Sequence, residues 1–308
     1  MAAAQRTKAS DKQAIAKKLM MILKKQYKGS VPQSDRPVLE TILYAICLEN
    51  SSDSRADSVY ARLESTFHDW NEMRVSSISE LTDVFHDVDR PERRALQVRC
   101  ALHYLYEKHF KFEFESLRRK TLDLAEKQLR KIKELSGFVR LFTLQSALGS
   151  HLVAVDDFMC GAAIWLGLAD LGSTPISASE ALKSAVRKAD GPLFCHLLRS
   201  LASDPLVKGT FVLNDLRPPP EGFDLELAPK RLQELFEQAS ARAKVSVVRK
   251  KTAKKAPDRK KTAPSAAKSR TAEVSRSKNK STAQKKAAGK SAGNAKKTKK
   301  KTKTSSGR

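Results

Sequence analysis

The last sixty residues set the first limit on the fold. From Arg249 to Arg308 there is no Leu, Ile, Phe, Tyr, Trp or Met, while 23 positions are Lys or Arg and only Asp258 and Glu273 are acidic. This segment carries +21 of the chain's formal +25, and the first 248 residues carry the other +4. A stretch so poor in apolar surface cannot offset the entropy of ordering, roughly 1–2 kcal/mol per residue for the backbone. It is expected to be a disordered polycation, so any core must come from residues 1–248.

Within those residues the apolar side chains recur at helical spacing. Ile15, Leu19, Ile22, Leu23 and Tyr27 share a face of a helix that Ser10 can cap and Gly29 can end. Pro37 opens a helix through Leu48, and Asp53 opens another with Ala56, Val59, Tyr60, Leu63 and Phe67 along one side. Ser79 to Phe85 reads as a short helix, and Pro91 begins a longer one through Phe110. Leu117 to Glu134 reads as one basic amphipathic helix, followed by Gly137 and a helix from Val139 to Leu148 that Gly149 ends. Asp156-Asp157 precedes an apolar helix, Phe158 to Leu168, and further helices reach Leu201. Pro218-Pro219-Pro220 is a stiff spacer, Gly209 to Leu213 can be a short extended piece, and Pro229 to Lys244 is a last helix. The expected class is all-α. The expected division is 1–30 as an N-terminal helix and lead-in, 31–201 as the main helical domain, 202–248 as a connector and terminal helix, and 249–308 as the basic tail.

Cys47, Cys100, Cys160 and Cys195 lie far apart in apolar runs with no CxxC pair, which argues against a disulfide framework, a zinc site or a cysteine-held iron–sulfur cluster. The six histidines show no metal-ligand spacing, so neither metal nor cofactor is expected. The first apolar run, Leu19-Met20-Met21-Ile22-Leu23, is too short and too closely flanked by lysines for a secretory leader, and no run reaches membrane-spanning length. An intracellular location is expected, DNA-associated through the +21 of the tail, with no membrane and no obligate protein partner evident.

One ordered set of residues carries chemistry. Leu135-Ser136-Gly137 is followed by a helix, by Gly149, and then by Ala154-Val155-Asp156. Upstream stand Leu39-Glu40-Thr41-Ile42-Leu43-Tyr44-Ala45-Ile46, then Asn50, then Asp53 to Leu63, then Arg93-Arg94-Ala95. Taken in order from Val38 to Leu168, these residues resemble the endonuclease III superfamily, the helix-hairpin-helix DNA glycosylases. The resemblance implies a two-lobed helical domain acting on DNA. It places a catalytic aspartate at Asp156, or at Asp157 if the register slips by one. It implies a phosphate-gripping hairpin over Gly137, Phe138, Val139 and Arg140, with Asn50 where the family fills the gap left by an extruded base. Ser136 stands where the family has Pro, and Val139 where it has a second Gly. No lysine lies between Glu134 and Gly149, so the resemblance implies no Schiff-base lyase chemistry. The iron–sulfur motif of many members is missing as well.

Alone, each residue has a plainer reading. An Asp before an apolar run is most often a helix N-cap, Gly137 a helix C-cap, Asn50 a turn residue and Arg140 a solvated cation. The resulting expectation is a monofunctional glycosylase that removes damaged bases in base-excision repair. The alternative is a non-catalytic DNA-binding or chromatin-associated protein on the same scaffold. The tail, with Lys250, Lys251, Lys254 and Lys255 at its start, is expected to bind double-stranded DNA, and RNA by the same charge. Ending the chain at Val248 is expected to remove most non-specific affinity. It should also flatten the salt dependence, because each phosphate neutralised by the tail adds a slope of about −0.9 in log K per log unit of salt. Titration at several salt concentrations checks this, and a shortened chain that binds as tightly as the full one would place the affinity in the helical domain.

Overall fold

The computed structural model describes residues 9–27, 31, 35–216, 218 and 222–253, and among them every regular element is helical. The first is α1 (Ala9–Tyr27), whose residues Ile15, Ala16, Leu19 and Leu23 form a buried stripe. α2 (Val38–Leu48) is different in kind: all of its residues except Glu40 are buried. A helix buried on all sides is a core helix rather than a surface one. Around it lie α3 (Asp53–Thr66), α4 (Trp70–Val75), α5 (Ile78–Val84) and α6 (Pro91–His109). The starts of α3, α4 and α5 are set by short polar side chains that take an otherwise unpaired backbone N–H. Ser52 accepts from Arg55, Asp69 accepts from Glu72, and Ser77 forms a reciprocal capping box with Glu80.

The chain continues through a 3₁₀ turn (Glu115–Arg119), α7 (Leu122–Leu129) and α8 (Gly137–Leu148). Then follow α9 (Asp157–Trp165), α10 (Pro175–Ala185), α11 (Gly191–Ser203), two further 3₁₀ turns (Lys208–Phe211 and Leu213–Asp215) and α12 (Ala228–Ala253). Two lobes result. α2 packs on α3, α6 and α8, while α9 packs on α10 and α11. The first helix joins the second lobe: α1 lies against α10, α11 and α12, and Tyr27 donates to Asp204 at 3.0 Å and meets the Phe236 ring.

The all-α class is as expected, but several elements differ. Leu117 to Glu134 is not one helix. The chain breaks at Lys120 and Thr121, both extended, because Leu117 and Leu129 must both reach the core and Arg118 must reach two carbonyls, Ala147 at 3.0 Å and Arg36 at 2.9 Å. Gly137 is not a helix C-cap but the first residue of α8, behind the Ser136 N-cap, and the left-handed residue in this connection is Glu134. Gly209 to Leu213 forms 3₁₀ turns rather than an extended piece. α12 runs past Lys244 to Ala253, so the backbones of Lys250 and Lys251 are helical. Lys254, Lys255 and the rest of the tail lie outside the described residues. α4, a helix of six residues, is too short to announce itself by apolar spacing.

One contact in the second lobe admits only glycine. A β-carbon on Gly161, in the middle of α9, would lie 1.8 Å from the carbonyl oxygen of Phe211. Gly161→Ala must therefore push apart α9 and the 3₁₀ turn that Phe211 ends. Denaturant unfolding is expected to show a loss of about 1–3 kcal/mol; an unchanged midpoint would mean that the two backbones are not held this close.

Candidate functional site

The two lobes meet at Asn50 and Asp156. Asn50 follows the last turn of α2 with φ +52, a left-handed conformation that asparagine tolerates better than most residues. Its backbone N–H donates to Asp156 Oδ2 at 3.0 Å, and its side-chain Oδ1 accepts from the Asp157 N–H at 3.1 Å. The Asn50 Nδ2 donates to Asp89 at 3.4 Å. Asp156 is the N-cap of α9, and its Oδ1 accepts from the Met159 N–H at 2.8 Å. Both carboxylate oxygens are thus held by backbone donors, and the residue is 2% exposed. Burial pushes the Asp156 carboxyl above its ordinary value, while those two N–H groups and the Arg199 charge pull the other way.

Beside Asp156 lies a cavity of about 170 Å³ whose wall is made largely of helix starts. Ser136 and Gly137 begin α8, Asp156 and Asp157 begin α9, Thr174 and Pro175 begin α10, and Arg90 is the N-cap of α6. Each helix N-terminus carries a partial positive charge, equivalent to roughly half a unit. Arg90 and Arg93 add full cations, and Glu49, Asp156 and Asp157 supply the balancing acids. Arg90 itself has φ +51 and reaches Asp157 with its Nη2 at 3.1 Å. Four helix starts and two arginines make the cavity suited to an anion. Three carboxylates in the same wall, Glu49, Asp156 and Asp157, suit it to a neighbouring centre that becomes cationic.

The residues singled out from the sequence fall unevenly around this cavity. Asp156, Asp157, Gly137 and Phe138 line it. The side chains of Phe138 and Val139 are in the core, and the Val139 N–H is already taken by Ser136 Oγ at 3.1 Å. Arg140 is half-buried and donates to the Leu135 carbonyl. The Asn50 side chain is folded inward at 8% exposure, with both ends of its amide engaged. Leu141 also lines the cavity. Arg90 and Glu49 were missed; an arginine directly before Pro91 was the available signal, since its backbone geometry is fixed by the loop and not by periodicity.

A second cavity, about 260 Å³, opens between α2, α8 and α11. Tyr44, Leu48 and Phe142 give it apolar walls, and Asp53, Gln145, His196 and Arg199 give it polar ones. Asp53 Oδ1 meets Arg199 Nη1 at 3.2 Å, and its Oδ2 lies 3.1 Å from His196 Nδ1. Arg199 is 4% exposed, with the Phe138 and Phe142 rings each 5.7 Å from its guanidinium carbon, and its Nε and Nη2 have no hydrogen-bond partner among the described residues. Arg199 therefore pairs with Asp53 by contact and also acts on Asp156 through its charge. Among the described residues no group of His, Cys, Asp or Glu side chains is arranged to hold a metal ion, the four cysteines are free thiols, and no helix is long and apolar enough to cross a membrane.

No family model matches the sequence, and no curated protein matches it. Among solved structures the chain is similar to a trapped endonuclease III–DNA covalent intermediate in an estranged-adenine complex, at 14% identity and a TM-score of 0.49 over 62% of this chain and 85% of that one. It is also similar to a non-covalent endonuclease III–DNA complex, at 16% identity and a TM-score of 0.48 over the same shares.

Burial raises the Asp53 carboxyl, but the His196 contact and the Arg199 charge outweigh it, and the group titrates below its ordinary value. A depressed carboxylate adds stability above the ordinary carboxylate range and loses it as pH falls through the lowered value. Asp53→Asn, which takes from the buried Arg199 its contact carboxylate and leaves it only the Asp156 charge, is expected to lower stability by about 3 kcal/mol at neutral pH. The gap to wild type should narrow in acid, where wild type protonates Asp53 too. Unfolding curves across pH check this, and a constant gap would mean that the pair carries no such charge energy.

Proposed function

We propose that the chain is a DNA-binding protein that removes a damaged base from duplex DNA in one hydrolytic step, with Asp156 as the acting carboxylate. The observation that carries this reading is the cavity at Asp156, where four helix N-termini and two arginines surround a carboxylate held in fixed orientation. The helix starts and Arg93 receive the phosphates that flank the target nucleotide. As the bond from the sugar C1′ to the base breaks, positive charge grows on the sugar, and a fixed carboxylate in a water-poor wall stabilises it. Water then adds its hydroxyl to C1′, and its proton leaves with the base. With Leu141 and no amine on this wall, the product is an intact strand with an abasic site. The +21 of the last sixty residues supplies sequence-independent attachment to double-stranded DNA, which puts the protein with intracellular DNA.

A second reading, a non-catalytic DNA-binding scaffold, is favoured by one feature. Asp156 is 2% exposed, and both its oxygens already serve as acceptors inside the fold. Base release by the full-length chain decides between the two. Duplexes carrying uracil, hypoxanthine, an alkylated purine or an oxidised pyrimidine are incubated with wild type and Asp156→Asn, then treated with hot alkali. The expected result is alkali-dependent breakage on one lesion class, lowered roughly 100-fold or more in Asp156→Asn with DNA affinity retained. Breakage without alkali would require an amine nucleophile elsewhere in the chain. Intact strands on every lesion, with binding preserved, would leave the scaffold reading.

A further inference from the structure

The C-terminal end of α6 carries a surface that the Asp156 site does not use. The helix puts Phe110 about 30 Å from Arg90 at its other end, at 1.5 Å rise per residue. Phe110 is the C-cap residue and takes φ +51. Glycine fills this position without strain, and a bulky side chain does not. Phe110 gains no burial in return: at 76% it is the most exposed large apolar side chain among the described residues. Its ring meets Tyr106 edge-on with centroids 6.0 Å apart, and Tyr106 stacks on Phe112 at 5.7 Å. The Arg74 guanidinium lies 4.2 Å over the Tyr106 ring. Lys108 and Lys111 bracket Phe110 and are exposed, as are the two nearby acids, Glu107 and Glu113.

We propose that Phe110, backed by Tyr106 and Phe112, presents a stacking face for the unpaired bases of a single nucleic-acid strand, with Lys108 and Lys111 placed for its phosphates and Arg74 holding the Tyr106 ring from Asn71. Aromatic faces take any base, and interleaved cations track the backbone that joins them. The centre of a protein-docking patch is normally depleted of lysine, whereas here lysines stand on both sides of the exposed ring. The strained backbone adds to the case. A residue kept at a position where glycine is better for the fold is explained by what its side chain does outside the fold. The inference does not rest on base removal at Asp156.

The test measures binding of the full-length chain to an oligothymidine strand, an oligouridine strand and a duplex of the same length, all at one salt concentration high enough to suppress the tail. Phe110→Ala is expected to weaken strand binding roughly five- to tenfold and leave duplex binding unchanged. Phe110→Gly should show the same loss while its thermal midpoint rises, because the left-handed strain is relieved. Phe110→Trp should keep strand affinity. Loss on the DNA strand, the RNA strand or both supports the platform and names its strand. Unchanged strand affinity, or an equal loss on the duplex, overturns it. So would a fall in thermal midpoint in Phe110→Gly, which would make the ring structural. Loss of self-association in sedimentation with strand binding intact would assign the ring to a protein contact and also overturn the proposal.

Discussion

Asn50 and Asp156 hold the two lobes in register by exchanging backbone and side-chain hydrogen bonds. The Asn50 N–H goes to the Asp156 carboxylate, and the Asp157 N–H returns to the Asn50 amide oxygen. Neither residue is near the other in sequence, and neither has a substitute. An alanine at Asn50 would lose the amide oxygen and would resist the left-handed backbone. An alanine at Asp156 would strand two buried N–H groups, each costing about 1–3 kcal/mol. The cavity walls from α6 and α9 depend on this clasp, because the loop before α6 is tied to it through Asp89 and Arg90.

The helix ends are managed in two opposite ways. At the starts that face the cavity, Ser136, Asp156 and Thr174 cap α8, α9 and α10, while the dipoles of those helices stay aimed at a common space. At several C-terminal ends, arginines take the unpaired carbonyls. Arg94 donates to Ile46 and Glu49 at the end of α2, Arg118 to Ala147 in α8, and Arg231 to Trp165 at the end of α9. Gln97, fully buried, joins the two schemes by accepting from the Ser136 N–H. These cations are spent on architecture and are not available to nucleic acid. Arg93, in contrast, borders the open cavity, and Arg90 beside it is held by Asp89 and Asp157.

Much of this was legible in the sequence, and the exceptions have a common cause. The bounds of α2, α3 and α6 follow from local signals: Pro37, Asp53 and Pro91 sit at the starts, and apolar residues repeat every three or four positions. Asp156 was legible as a cap for the same reason, since an acid directly before an apolar run is a local pattern. The break at Lys120 was not, because only the tertiary demands on Leu117 and Arg118 impose it. The Asp53–Arg199 pair joins residues 146 positions apart, and no periodicity encodes such a meeting. The inward fold of the Asn50 amide was equally hidden, because its partners, Asp89 and Asp157, come from two other segments.

The packing of α1 on α10, α11 and α12 has a consequence for biosynthesis. The first helix leaves the ribosome with Leu19 and Leu23 uncovered, and its last partner begins only at Ala228. At about 5–20 residues per second, that wait is on the order of 10–40 s. During the wait the nascent amphipathic helix must stay soluble through its own lysines or a chaperone's grip. The lobe built on α2 needs no such delay, so the helical core matures from its middle outward, and α1 and α12 are joined last.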